Sequence, residues 1–174
     1  MRIMSRSMTT AAVMYAFASS SAHAQQTARP NYSGTWVLDS SKSRMTSAMQ
    51  DNLPQMGAGT WVIQQHGDTL IMDREMTMSG AQQKSHLVVA IDGKTWKNTV
   101  PTMGGGDIET SSTAAWENGE LVVRSSGNVQ GTDFVQTDRW TVSADGKVLV
   151  SHRSVTVPNQ GEVQASTLTF TKKM

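Results

Sequence analysis

The sequence predicts an all-β protein, an antiparallel up-and-down barrel of about 8–10 strands with a short helical or loop lid after the first strand. Three observations carry that expectation. The chain writes one unit twice, Trp, five residues, Gly, two residues, Leu, at Trp61-Gly67-Leu70 and at Trp140-Gly146-Leu149. A contracted relative stands at Trp116-Glu117-Asn118-Gly119-Glu120-Leu121, and a bare turn at Asp92-Gly93-Lys94. Each reads as strand, tight turn and returning strand, because Asn-Gly and Asp-Gly supply the positive φ that a hairpin twist needs. β-branched and aromatic residues dominate the segments between these turns, as pleated surfaces prefer. Finally, a long meander leaves two raw edges, and closing it into a barrel removes them. A two-sheet sandwich is the competing arrangement.

Residues 1–24 have the three parts of a secretory signal: basic Arg2 and Arg6, a short apolar stretch from Thr10 to Ala18, and a small-x-small cleavage site at Ala22-His23-Ala24. The mature chain is therefore expected to start at Gln25 as one domain, residues 25–174, in a periplasmic or secreted setting. No later segment approaches the roughly 20 apolar residues of a helical membrane span. The sequence has no Cys, which excludes disulfides, thiolate metal sites and thiol nucleophiles. Some 150 residues suffice for a core that buries roughly 70% of the unfolded surface. Without Arg2 and Arg6 the chain carries 13 basic and 14 acidic side chains. That balance gives no footing for nucleic acid or an anionic membrane surface.

The elements follow in order. Gln25 to Pro30 reads as a short arm, and Tyr32–Leu38 as the first strand. The polar, Met-containing segment Asp39–Gly59 comes next; Ser40 or Ser41 would cap a short helix reaching Gln50 and ending before Pro54. Strands are expected at Thr60–His66, Thr69–Met78, Gln83–Ile91 and Thr95–Val100. The run Met103-Gly104-Gly105-Gly106-Asp107 reads as a rim loop; it lacks the Lys and the following helix of a phosphate loop. The remaining strands are Ile108–Trp116, Leu121–Val129, Asp133–Ser143, Val148–Val157 and Glu162–Lys172.

Alternation assigns the faces. Leu70, Met72, Arg74, Met76 and Met78 share one side, opposite Ile71, Asp73, Glu75 and Thr77. Leu87, Val89 and Ile91 oppose Lys84 and His86. Phe134, Gln136, Asp138, Trp140 and Val142 form another set, and Leu149, Ser151, Arg153, Val155 and Val157 a fourth. In the last strand Val163 and Ala165 conflict in parity with Leu168 and Phe170, and a bulge near Ser166 would reconcile them.

With these elements placed, Asn31-Tyr32-Ser33-Gly34-Thr35-Trp36 resembles the Gly-x-Trp opening of lipocalins, at the start of the first strand. The hairpin succession over residues 31–172 resembles small bacterial secreted lipocalin-like proteins of the calycin kind. It departs from typical lipocalins in showing no long C-terminal helix, no disulfide and no evident Arg stacked over the opening Trp. Ten strands with a small lid also resemble fatty-acid-binding proteins. The resemblance implies an internal cavity for a small, largely apolar ligand.

Polar residues on apolar faces are the candidates for chemistry, since an interior charge is costly unless paired or used. Arg74, Arg153 and Gln136, with Asp138 beside them, would fix the polar end of a ligand, a carboxylate being the match for a guanidinium fork. Met72, Met76, Phe134 and Trp140 would form the walls. The alternative is that Asp138 pairs with Arg74 or Arg153 as a structural ion pair. Likewise Met72, Met76 and Met78, with Met45, Met49 and Met56, read either as a pliable lining or as ordinary core. His66, His86 and His152 have no metal-ligand spacing and are expected to face outwards, so neither metal nor cofactor is anticipated. With the faces inverted, His152 and Glu75 or Asp73 would form an acid–base pair for isomerase or lyase chemistry. No Gly-x-Ser-x-Gly elbow supports serine hydrolysis. The expected partner is a small hydrophobic ligand; the alternatives are a cofactor-independent isomerase or lyase on the same barrel and a structural barrel with a filled core.

Overall fold

The computed structural model describes residues 29–47, 56–102 and 106–174. The expected signal segment, Met49 and the Pro54 stop, and the Met103–Gly105 part of the glycine run lie outside these. The described residues form eleven strands: β1 Gly34–Leu38, β2 Arg44–Ser47, β3 Met56–His66, β4 Thr69–Met78, β5 Ala81–Ala90, β6 Trp96–Pro101, β7 Asp107–Glu117, β8 Glu120–Val129, β9 Thr132–Val142, β10 Val148–Val157 and β11 Gly161–Lys172. They make one antiparallel sheet in the order β5-β4-β3-β1-β11-β10-β9-β8-β7-β6, which curls into a nearly closed barrel. The described residues contain no helix.

Local chemistry sets the hairpins. Ser79-Gly80, Asn118-Gly119 and Gln130-Gly131 each place two consecutive residues at positive φ. That is the type I′ geometry whose twist matches the flanking strands. Only one of the three was announced by an Asn-Gly pair.

The lid expected after β1 is different in kind. In place of a helix starting at Ser40 or Ser41, residues 39–43 make a tight excursion and the chain rejoins the same neighbour. Leu38 lies opposite Phe170, and Arg44 opposite Thr167. The Asp39 N–H donates to the Thr169 carbonyl at 2.8 Å, and the Thr169 N–H donates to Ser43 Oγ at 3.0 Å. Ser43 Oγ in turn donates to the Asp39 carbonyl at 2.8 Å. β1 and β2 are thus two parts of one interrupted strand. β1 is too short to cover β11, and the bare ladder of β11 at residues 164–167 offered more to Arg44–Ser47 than a marginal helix could. The parity conflict in β11 is resolved not near Ser166 but at Val163, which is skipped between the pairs Val155–Gln164 and Thr156–Glu162.

The lower half of the barrel is solid. Trp36, Trp61, Trp140, Tyr32, Phe170, Leu70, Leu121 and Leu149 are all fully buried there. The Trp61 ring centre stands 4.3 Å from that of Phe170 and 5.5 Å from that of Trp140. Trp36 closes the bottom, its Nε1 donating to the Tyr32 carbonyl at 2.8 Å, with Lys172 Nζ 5.1 Å above its ring. This lysine takes the stacking place for which the sequence offered no arginine. Gly34 makes it possible: it sits at a φ of 143°, and a Cβ there would collide with Lys172 Cε.

The seam between β5 and β6 has no backbone ladder. A side chain bridges it. Asn98 accepts from the Val88 N–H at 2.8 Å and donates to the Val88 carbonyl at 3.1 Å, so its amide imitates a paired backbone residue.

Candidate functional site

Above the tryptophan layer the barrel becomes polar and then hollow. Inward positions that carry Trp or Leu lower down carry charged and hydroxyl side chains at mid-height. On β9 and β10, Asp138 lies opposite Arg153 and Trp140 opposite Ser151. On β4, Arg74 lies between Trp61 of β3 and Ser85 of β5.

Asp138 is the hub. Only 1% exposed, it accepts from Arg153 Nε at 2.7 Å, Gln136 Nε2 at 2.7 Å and Ser151 Oγ at 3.3 Å. Burial alone would push its carboxyl up, but the Arg153 and Arg74 guanidiniums and the Arg153 and Gln136 hydrogen bonds outweigh burial and hold it below the ordinary carboxylate range. Asp138 is therefore ionised at neutral pH.

Arg74 has no such partner. Its guanidinium lies 4.7 Å from the Trp61 ring centre and 6.0 Å from that of Trp140. Its Nε donates to Met72 Sδ at 3.2 Å, a weak acceptor. Desolvation, reinforced by the neighbouring Arg153 charge, pushes its pKa down to about 9 in spite of Asp138. Two guanidiniums thus face one carboxylate. Arg153 Nη2 and the indole Nε1 of Trp61 and Trp140 are also buried without a hydrogen-bond partner.

Two connected spaces open from this layer. A chamber of about 170 Å³ has Arg74, Gln83, Ser85, Thr110, Ser125, Gln136 and Arg153 among its walls. Above it lies a wider, open-mouthed cavity of about 510 Å³, walled by Met45, Met76, Met78, Val100, Phe134, Val155 and Leu168 among others. Met76, Phe134, Gln136 and Arg153 line both. Phe134 is held across Gly127, whose missing side chain leaves room for the ring; a Cβ there would stand 3.0 Å from Phe134 Cε1 and Cζ.

The residues singled out from the sequence divide into two groups. Arg74, Arg153, Gln136, Met76 and Phe134 line the open spaces. Met72, Trp140 and Asp138 are buried just beneath, at 1%, 0% and 1% exposure, where Met72 and Trp140 form the floor and Asp138 the counter-charge. The structural ion pair considered as an alternative does exist, between Asp138 and Arg153, and it leaves Arg74 over. His86 and His152 lie outside the barrel, on Asp73 at 2.7 Å and Thr167 at 3.1 Å, so the inverted-face acid–base pair is not formed.

Gln83, Ser85, Thr110 and Ser125 were missed. Their parity was legible, since Gln83 and Ser85 continue the alternation of Leu87 and Val89, and Ser125 that of Leu121 and Val123. Their identity hid them, because Ser, Thr and Gln are ordinary on an exposed face.

No family model matches the chain, and no curated protein does. Among solved structures it is similar to one described as human cRBP IV, with a TM-score of 0.48 and 16% identity over 83% of this chain and 99% of that one. A secretory abundant heat soluble protein from Ramazzottius varieornatus gives 0.47 and 12%, over 82% and 95%. A Schistosoma mansoni fatty acid binding protein in complex with arachidonic acid gives 0.45 and 12%, over 82% and 96%. The fold assignment rests on the strand pairing above rather than on these likenesses.

Proposed function

We propose that this protein binds a small apolar or aromatic ligand with an anionic end, a carboxylate being the simplest, inside the barrel. We place that activity in the periplasm or outside the cell, on the strength of the signal-like residues 1–24. One observation carries the binding reading: a surplus guanidinium, Arg74, half-buried over the Trp61 ring and lining the chamber of about 170 Å³ that shares its walls with the larger cavity. A charge that is partly desolvated and has no counter-ion of its own is costly to hold. An arriving anion would remove that cost, and the Met and Phe walls above would bury its apolar part. Cavities of roughly 300–1,000 Å³ with a few convergent polar groups are the usual size for such ligands.

Catalysis finds less support. Among the described residues Asp138 is the carboxylate of this polar layer, and three hydrogen bonds commit it. The open upper half equally disfavours a barrel that is purely structural.

The test is titration with 11-(dansylamino)undecanoic acid, followed by dansyl emission. One equivalent is expected to bind, and Arg74→Met to weaken binding at least tenfold without lowering the Tm of the empty protein. Unchanged affinity in Arg74→Met, or no saturable binding by the parent protein, would remove this reading.

A further inference from the structure

The lower chamber is furnished for more than a carboxylate. A carboxylate needs donors only, and the two arginines supply them. Yet the chamber also presents acceptors that nothing in the barrel uses.

The most constrained is Gln136. Because Asp138 is ionised, it is the amide nitrogen of Gln136 that must face it, as the 2.7 Å contact has it. The carbonyl oxygen of Gln136, a residue of the chamber wall, is then left without a donor among the described residues. Gln83 and Ser85 of β5 line the same chamber and likewise have no side-chain partner there. Ser125 is by contrast already engaged, with Ser112 at 2.8 Å, and Thr110 donates to the Asn98 carbonyl at 3.3 Å. The chamber walls thus bring together Arg74 and the unpartnered Nη2 of Arg153 as cationic donors, and Gln136 as an acceptor with Gln83 and Ser85 in the same lining. A buried acceptor that loses water and gains no donor costs binding energy, so a ligand head that offers only oxygens leaves Gln136 unpaid. The charge surplus is one, which suits a monoanion.

We infer that the ligand is an amphiphilic monoanion whose head bears an N–H or O–H donor within a few bonds of its acid group, the anion lying on Arg74 and Arg153 and the donor on Gln136. N-acyl amino acids and β-hydroxy acids both have this chemistry. The inference rests on the proposed binding function and sharpens its ligand class.

Calorimetric titration at pH 7 with four twelve-carbon compounds separates the possibilities: laurate, N-lauroylglycine, N-lauroylsarcosine and 3-hydroxydodecanoate. N-lauroylglycine or 3-hydroxydodecanoate, whichever places its donor correctly, is expected to bind at least tenfold tighter than laurate, and the one that gains names the donor as amide or hydroxyl. N-lauroylsarcosine has the glycine head with its N–H methylated, and it is expected to show no such gain. Gln136→Met then separates a lost hydrogen bond from mere crowding by the methyl group. With the acceptor gone, the advantage of the donor-bearing head is expected to fall below twofold. Gln83→Met serves the same purpose if Gln136→Met does not fold, with a smaller loss. The inference is overturned if laurate binds and neither donor-bearing compound exceeds it by more than twofold. It also falls if the advantage survives in a folded Gln136→Met, or, where that variant does not fold, in Gln83→Met. If none of the four binds, the proposed function fails as well.

Discussion

The two halves of this barrel are built from the same strands and yet are packed on opposite rules. Below mid-height, Trp36, Trp61, Trp140 and Phe170 are fully buried in one apolar cluster. Above it, inward positions on β4, β9 and β10 carry Met76, Phe134, Gln136 and Val155, which line a void. Strand β4 shows the change in one line, from Leu70 and Met72, buried, through Arg74, to Met76 and Met78 at the cavity. The difference teaches where stability and function are separated. The lower half buries enough apolar surface to hold the fold, so the upper half is free to remain open and to carry a charge that no folding requirement explains.

The sharpest way to break the comparison is to remove one aromatic from each half. Trp140→Ala is expected to cost ~3–5 kcal/mol, since its neighbours are too tightly engaged to collapse into the space. Phe134→Ala, at the wall of an existing void, is expected to cost about 1 kcal/mol, because a half-buried ring loses little burial. Urea unfolding of both variants checks this, and equal losses would mean that the upper half is not a cavity in solution.

Asp138 tests the boundary between the halves. Asp138→Asn leaves Arg74 and Arg153 facing each other without a counter-charge, and is expected to destabilise by about 3 kcal/mol. The pH dependence has a definite sign. The folded carboxyl is held below its ordinary value, so its contribution is complete above about pH 4 and is lost as pH falls through the lower folded value. The parent protein should therefore lose stability steeply below pH 4, and Asp138→Asn should show a shallower slope there. Parallel profiles would show that Asp138 is not the residue holding the layer together.

The smallest effect is expected at the seam. Asn98→Ala removes two hydrogen bonds to Val88 and is expected to cost ~1–2 kcal/mol. Amide exchange is the finer readout: the Val88 N–H should exchange much faster in the variant, while amides paired between β3 and β4 stay protected.

Much of this was legible in the sequence because a period of two is hard to disguise. The inward set Phe134, Gln136, Asp138, Trp140 and the set Leu70, Met72, Arg74, Met76 follow from parity alone, once the Trp-Gly-Leu hairpins fix the register. What escaped depended on partners far along the chain. Residues 44–47 became a strand because β11, more than a hundred residues later, had an edge to fill. Lys172 covers Trp36 only because Gly34 yields room, and the Asp138–Arg153 pair could be named as one of two options but not chosen. Polar inward residues such as Gln83 and Ser85 carry no local signal that separates them from a solvated face.

The Asn98 bridge has a consequence for the molecule's life before it is folded. β5 and β6 are the two ends of the sheet, and each has a row of backbone groups with no ladder partner. In the finished barrel each edge is screened by the other, with one amide holding them in place. Until that amide is seated, both edges are open to any passing copy of the chain, and intermolecular strand pairing competes with closure on equal chemical terms. Solubility during synthesis therefore depends less on the surface of the finished protein than on how quickly Asn98 finds Val88.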